Sequence, residues 1–372
     1  MKTRAAILRS SPGVFETATV DLDDPGRGEV LIRMVATGLC HSDDHLQTGH
    51  MRMRTYPMAG GHEGAGIVAQ VGPEVRDLRE GDHVVLACMP TCGVCAFCAR
   101  GMQNLCDRGR FMLVGSRGDE PPTYRMHLAG VPVAQFGGLS TFSEYTVVDA
   151  RGCVRIDPDI DLEAACLVGC GVGTGWGSSV NAAQVRVGDT VIVMGTGGVG
   201  IHAVQGAAHA GAENVLAVDP LPFKRAKAAE VGATHTHTSI EQAADTAREL
   251  TNGQGADAAV VTVGVTTGEH VGQAFAAVRK GGTVVVTGAG DGREVGVPVP
   301  IAELILHHKR IQGALFGSTS PTVDIPRQLS LYRAGKLKLD ELITARYPLE
   351  EVARGYEDMH AGRNLRGVVV FS

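Results

Sequence analysis

Apolar positions in the first 170 or so residues come in short runs broken by turn signals, the pattern of brief β-strands. Val30–Val35, Ala65–Val71, His83–Leu86, Glu144–Val148 and Val154–Ile156 are the predicted strands. Asp24-Pro25-Gly26, Val71-Gly72-Pro73 and Glu80-Gly81-Asp82 separate some of them, and proline with glycine in such clusters ends regular structure. From Gly188 the pattern changes to continuous apolar runs alternating with helical segments, the mark of parallel βαβ units. Strands are expected at Thr190–Met194, Asn214–Val218, Ala258–Val263 and Thr283–Thr287, and helices at Val199–His209, Phe223–Glu230, Ile240–Leu250 and Glu269–Val278. Most of the helices run out at glycine turns, namely Gly211, Gly232, Asn252-Gly253 and Gly281-Gly282, as helix C-termini tend to.

After about residue 314 the pattern is mixed again, which reads as a return to the first domain. The expected organisation is therefore α/β: a β-rich domain formed by residues 1–171 and 315–372 around an inserted doubly wound parallel-sheet domain, 172–314. A chain of 372 residues exceeds the size at which single cores stop growing. Its 50 glycines and 4% aromatic content suit tight strand-to-helix turns better than a helical bundle. Net charge is −6 with no basic block, so neither composition nor patterning points to nucleic acid. The apolar stretch after Arg4 is too short for a signal-peptide core, and no run approaches the roughly eighteen residues of a membrane span. A cytoplasmic protein acting on a small molecule is the expectation.

The strand Thr190–Met194 runs directly into Gly195-Thr196-Gly197-Gly198-Val199-Gly200 and then into a helix. The motif is weak alone, but this context gives it a mechanism. Gly195 permits the tight turn, Gly197 lets backbone approach a pyrophosphate, and Gly200 allows helix to pack on strand, with phosphates at the helix N-terminus. Asp219 closes the next strand, where a carboxylate accepts from an adenosine ribose diol and repels a 2′-phosphate, favouring NAD. Lys224 follows within reach of the same ribose.

Cys92, Cys95, Cys98 and Cys106 stand in Cys-Gly-Val-Cys-Ala-Phe-Cys followed by one longer gap. Four soft ligands so spaced read as a closed structural zinc site; a disulfide cluster or free buried thiols is the bland alternative. The odd total of nine cysteines, used as reduced ligands, agrees with a reducing compartment. Cys40, His62 and Cys170 lie in three separate glycine-bearing segments, Gly38-Leu-Cys40, Gly60-Gly61-His62 and Gly169-Cys170-Gly171. Two thiolates and one imidazole leave one zinc position open, as a catalytic ion requires. An open zinc there would be able to bind an alcohol oxygen and lower its pKa, so that hydride could leave the alcohol carbon for nicotinamide. Singly, each residue reads as a buried cysteine or a satisfied histidine.

With these motifs in this order, the whole chain resembles the zinc-dependent medium-chain alcohol dehydrogenases. The resemblance rests on Gly61-His62-Glu63-x2-Gly66-x5-Gly72, the four-cysteine lobe, the Gly-Cys-Gly turn and the nucleotide fingerprint. It implies a GroES-like catalytic domain beside a Rossmann domain, two zinc ions per chain and NAD(H). It further implies that Cys40, His62 and Cys170 hold the catalytic zinc, that Glu63 transiently approaches the metal, and that Asp43 orients His62. Ser42 and His45 match a proton relay ending on an imidazole at the surface, Thr174 and Val199 press on the nicotinamide ring, and Arg366 pairs with the pyrophosphate. His41 stands where many relatives carry Arg, which weakens a phosphate contact there. Cys88 and Met89 replace larger pocket residues of several relatives. Gly169–Asn181, Thr251–Asp257 and Leu315–Ser318 look most like the actinobacterial nicotinoproteins, which keep NAD(H) bound and pass electrons to N,N-dimethyl-4-nitrosoaniline (NDMA) or to a mycofactocin-type carrier. A thiol-dependent formaldehyde dehydrogenase of the same fold is the enzymatic rival, and a dinucleotide-sensing protein that has lost catalysis the non-enzymatic one. The run Ile311–Phe316 is a candidate edge strand for pairing with a second subunit.

Overall fold

The computed structural model describes residues 1–117 and 121–371. The chain divides into two units, Met1–Cys170 with Ser320 onward, and Gly171–Thr319.

The first unit is β-rich, as its short alternating runs predict. One sheet closes on itself as a barrel of Lys2–Leu8, Glu16–Leu22, Met126–Leu128, Val131–Gln135 and Met58–Ala59. A second sheet runs Cys153–Arg155, His83–Leu86, Gly64–Val71, Glu29–Gly38, Arg366–Val370, Ile343–Tyr347, with Tyr145–Asp149 also pairing with Glu29–Gly38. Most of the pairings are antiparallel, and Arg366–Val370 is threaded beside Glu29–Gly38 in register Val368 to Gly38. The chain's last strand thus supports the strand that leads directly to Cys40. Phe15, Phe142 and Tyr356 form an aromatic cluster in the core of this unit, and Leu39 and Leu46 belong to the same core.

The second unit carries a six-stranded, wholly parallel sheet in the order His235–His237, Asn214–Val218, Thr190–Met194, Ala256–Val261, Val278–Val286, Arg310–Gly313. That is the 3-2-1-4-5-6 order of a dinucleotide-binding fold. Thr190–Met194 is buried along its whole length, which explains an uninterrupted apolar run. Helices Gly200–His209, Pro222–Glu230, Ile240–Leu250 and Gly268–Ala277 fall within a residue or so of the predicted ones.

The return to the first unit comes at Ser320, later than the expected 315, and Gly171 belongs to the second unit. Packing explains both shifts. A Cβ on Gly177 would lie 2.2 Å from the Gly317 carbonyl, and one on Gly317 2.4 Å from the Gly173 carbonyl. Gly171–Gly177 and Leu315–Ser318 are therefore backbone-to-backbone neighbours. Of the expected edge strand, Arg310–Gly313 is exposed throughout, whereas Ala314 and Phe316 turn inward and are buried.

Candidate active site

Cys40 is the N-cap of a short helix, His41–Thr48, that ends on Gly49 in the left-handed region (φ 83°) with its N–H on the His45 carbonyl. This helix reads as polar, yet it buries Asp43, Asp44, His45, Leu46 and Gln47. Only Leu46 is apolar, so the helix is held mostly by hydrogen bonds to its polar side chains. Asp43 accepts from His62 Nδ1 at 2.8 Å and from the Gly61 N–H at 2.7 Å. Asp44 accepts from His360 Nε2 at 2.8 Å, and Gln47 Oε1 from the Phe15 N–H at 3.4 Å. The Tyr356 hydroxyl donates to the Cys40 carbonyl at 3.3 Å. The family resemblance points to the Asp43–His62 pair, but the contacts from Tyr356 and His360 are not visible in the sequence, since those residues lie hundreds of positions from the ones they hold.

His62 sits in the loop before Gly64–Val71, its ring edge-on to Phe136 at 5.1 Å. Gly61 is left-handed (φ 86°), and a Cβ there would lie 2.4 Å from the Phe142 N–H nitrogen, so no other residue lets the loop pack this closely. Donor atoms of Cys40, His62 and Cys170 all lie within 4.8 Å of one another. With Nδ1 committed to Asp43, the His62 Nε2 lone pair is the atom left for a metal. Burial works to lower the His62 pKa, but the charges of Asp43 and Cys40 outweigh it and hold the ring well above its ordinary value. A hydrogen bond from Cys170 pulls Cys40 well below the ordinary thiol value, while Cys170 is driven well above it by Cys40, Cys88 and burial. Two sulfurs and an imidazole nitrogen brought this close suit a divalent cation, which takes both sulfurs as thiolates. The donor set fits zinc.

Cys92, Cys95, Cys98 and Cys106 form the second group with donor atoms within 4.8 Å. Zinc–sulfur bonds of roughly 2.3 Å place tetrahedral sulfurs about 3.8 Å apart, and Cys92 Sγ lies 3.9 Å from Cys98 Sγ. Backbone N–H groups of Cys95 and Cys98 donate to Cys92 and Cys95 sulfurs at 3.3 and 3.4 Å, as thiolates demand. Donors from Val94 and Cys95 bring Cys92 down to about 6, and burial pushes Cys98 up to about 12. All nine cysteines are free, so the disulfide alternative finds no bridge.

Some assigned residues stand differently from expectation. Glu63 is outside the metal-donor group; it is fully buried and forms an ion pair with Arg366, itself buried. Two buried charges require each other, so Arg366 is engaged on Glu63 within its own unit rather than standing as a phosphate's partner alone. A Cβ on Gly38 would lie 2.3 Å from Glu63 Oε2, so that glycine makes room for the pair. His45 is buried, 1% exposed, not at the surface, and neither ring nitrogen has a partner among the described residues. Ser42 Oγ lies 3.8 Å from Cys40 Sγ, and His41 is half-buried at the first position of the helix.

In the second unit, the turn Gly195–Gly200 follows Thr190–Met194 as expected, with Gly195 left-handed (φ 89°). A Cβ on Gly200 would meet the Gly195 carbonyl at 1.8 Å. Asp219 Oδ2 accepts from the Thr196 N–H and Oδ1 from the Leu221 N–H, both at 3.0 Å. The carboxylate therefore ties the glycine turn to the next strand, and each oxygen keeps a second lone pair for a ribose hydroxyl. Lys224 Nζ comes 3.8 Å from where a Gly197 Cβ would stand, and Gly198 and Val199 lead into the helix from Gly200. Thr174 is buried in Gly171–Gly177.

Residues 26–158 match the alcohol dehydrogenase GroES-like domain and residues 198–331 the zinc-binding dehydrogenase domain. An NDMA-dependent alcohol dehydrogenase of Amycolatopsis methanolica is 49% identical over 372 residues, the full length of both chains. The chain belongs to the zinc-dependent medium-chain alcohol dehydrogenase family. Among solved structures, a zinc-binding alcohol dehydrogenase domain protein from Burkholderia ambifaria has a TM-score of 0.93 at 32% identity, covering 100% of this chain and 99% of its own. The benzyl alcohol dehydrogenase of Acinetobacter calcoaceticus has a TM-score of 0.91 at 29% identity, covering 100% of both chains. Membership makes the chain a zinc- and NAD-dependent oxidoreductase acting on alcohols, and these relatives do not favour the thiol-dependent formaldehyde reading. Among the described residues, no helix is long and apolar enough to cross a membrane.

Proposed function

We propose that this alcohol dehydrogenase is a nicotinoprotein: it oxidises small alcohols to aldehydes with NAD(H) retained through turnover, and returns the electrons to an external acceptor. Full-length identity of 49% with an NDMA-dependent enzyme carries the reading. Convergence of Cys40, His62 and Cys170 supplies the chemistry. When bound, zinc would acidify the alcohol hydroxyl and NAD would accept the hydride. Asp43 holds His62 in the tautomer that exposes Nε2, and Ser42 stands beside Cys40 to take the alcohol proton toward His45. Gly195–Gly200 and Asp219 hold the dinucleotide, with Lys224 at the ribose, Thr174 and Val199 at the nicotinamide, and His41 and Arg366 toward the phosphates. Glu63 serves as Arg366's counter-ion and, on release, as the carboxylate that approaches the metal. A mycofactocin-type carrier is the natural acceptor in this reading.

The assembly is a homo-oligomer, formed along the sheet edge Arg310–Gly313. That strand is exposed at every position, and Ile301, Ile305, Leu306 and Leu315 of the same unit are large apolar side chains left exposed. Nine unbridged cysteines support a cytoplasmic setting. The deciding experiment is purification without added coenzyme, followed by extraction of nucleotide and assay with a primary alcohol. Retained NAD(H) and turnover only with NDMA support the proposal. An empty protein that reduces added NAD refutes it.

A further inference from the structure

His45 is the one buried polar side chain of its helix with no partner in the described residues, while Asp43, Asp44 and Gln47 are each served. A sealed imidazole with both nitrogens unserved is costly, so the ring exists to receive something. The hydroxyl of a bound ligand accounts for one nitrogen in the proposed relay. The other needs an outlet, since a fully buried ring cannot return its proton to bulk water by itself.

The rings nearest to it are histidines. His50 lies just past the helix end, its centroid 5.5 Å from that of His45 and its plane turned by 76°. His41 is farther, at 6.3 Å. At 5.5 Å the facing ring edges come within hydrogen-bond reach after a modest reorientation. His50 is half-buried and therefore in touch with solvent. Its tautomer follows from a chain of two bonds. Thr48 Oγ1 donates its single proton to the Asp44 carbonyl at 3.0 Å, so it must accept from His50 Nδ1 at 2.9 Å. Neutral His50 consequently carries its proton on Nδ1 and presents the Nε2 lone pair.

Resting on the reading of His45 as a relay base, we propose that His50 is the relay's outlet: it takes the proton from the buried His45 ring on Nε2 and, by rotating, gives it to a solvent base. One N–H bond breaks on His45 as one forms on His50, and the same proton then leaves His50, so both rings return to their neutral forms. The titratable groups facing His45 are Cys40, His41 and Asp44 on its own segment and His50 beyond it. From the helix Val352–His360, His360 is engaged on Asp44 and Tyr356 on the Cys40 carbonyl. Burial, with His41 and His50 adding to it, holds His45 below its ordinary value, which favours rapid transfer onward.

The test uses the purified holoenzyme and stopped-flow measurement of bound-nucleotide reduction by alcohol, in wild type, His50→Gln, His45→Gln and the double variant. Zinc and nucleotide content are measured on each, with His50→Asn as a second replacement should His50→Gln fold poorly. The outlet role predicts an alcohol-driven rate in His50→Gln about tenfold lower, less than the roughly 10²–10⁴ of a direct base because His50 acts one transfer away. KM and zinc content stay unchanged, and the rate rises with the concentration of a hindered base such as N-ethylmorpholine at fixed pH. The double variant should be no slower than His45→Gln alone. A wild-type rate in His50→Gln beside a slowed His45→Gln overturns the outlet and leaves the relay standing. So does a multiplicative loss in the double variant. An unimpaired His45→Gln overturns the relay reading itself and the outlet with it.

Discussion

Replacing Asp43 by asparagine keeps the shape of the His62 support and inverts its logic. The carboxylate accepts two hydrogen bonds, from the Gly61 N–H at 2.7 Å and from His62 Nδ1 at 2.8 Å, and it is fully buried. An amide offers one acceptor oxygen and one NH₂. The Gly61 N–H can only donate, so the oxygen must face Gly61 and the NH₂ must face His62. Nδ1 is then forced to accept, and the ring proton moves to Nε2, the atom needed as a lone pair by the metal. Loss of one charge-assisted bond costs about 1.5–3 kcal/mol, which corresponds to the roughly 10–100-fold loss of metal affinity or activity typical when such an orienting acid is removed. The assay is zinc retained after dialysis against chelators of graded strength. The four-cysteine lobe supplies an internal control, because its zinc should persist while the other is lost. Retention of both ions at the wild-type competitor concentration would show that Asp43 does not set the His62 tautomer.

Gly175→Ala should destabilise the nucleotide-binding unit by about 3 kcal/mol, the upper end for overpacking. The new Cβ would stand 2.0 Å from the Val199 carbonyl and 2.9 Å from the Ala203 nitrogen, both backbone. Thermal melting checks it, and an unchanged Tm would mean that the two helices separate freely. Cys98→Ser should yield protein with one zinc, increased proteolysis between about residues 90 and 115, and an intact Cys40, His62 and Cys170 site, all readable by metal analysis and limited digestion. His45→Gln should flatten the fall of stability at acid pH. With its folded pKa held below the ordinary 6.5, His45 binds fewer protons folded than unfolded between those two values. Stability therefore drops as pH falls below 6.5, and the variant lacks that contribution. Urea unfolding with excess zinc at about pH 7.5 and about pH 5.5 measures it, and identical slopes in variant and wild type would contradict the burial argument.

The nucleotide-binding half was legible because its signals are local. Thr190–Met194 and Asn214–Val218 are apolar runs bounded by turns, and Gly211, Gly232, Gly253 and Gly281 each adopt a left-handed conformation near the helix ends they were expected to mark. The barrel of the first unit was not legible. Met58–Ala59 is too short to show any period, and Glu16–Leu22 buries only Val20 and Leu22 fully. Metal-ligand residue types showed through because cysteine and histidine between glycines are chemically distinctive. Of their supports, Asp43 showed through the family resemblance, and the contacts from Tyr356 and His360 did not. His41–Thr48 has a single apolar residue, Leu46, so nothing in its spelling signals that Asp43, Asp44, His45 and Gln47 are buried.

That packing explains why the chain returns to its first unit at all. Tyr356, His360 and Arg366, all from the final segment, end on Cys40, Asp44 and Glu63 respectively. Two of those contacts hold the short helix that presents Cys40, Ser42, Asp43 and His45, whose own sequence supplies one apolar anchor, Leu46. A helix of eight residues is unstable alone, so its position must be imposed from outside. The strand Arg366–Val370, paired with the end of Glu29–Gly38, delivers that constraint to the residues just before Cys40. The site is thus built by segments from opposite ends of the chain, with the nucleotide-binding unit inserted between them. Chemistry resides in the early loops, and the tail fixes where those loops can be.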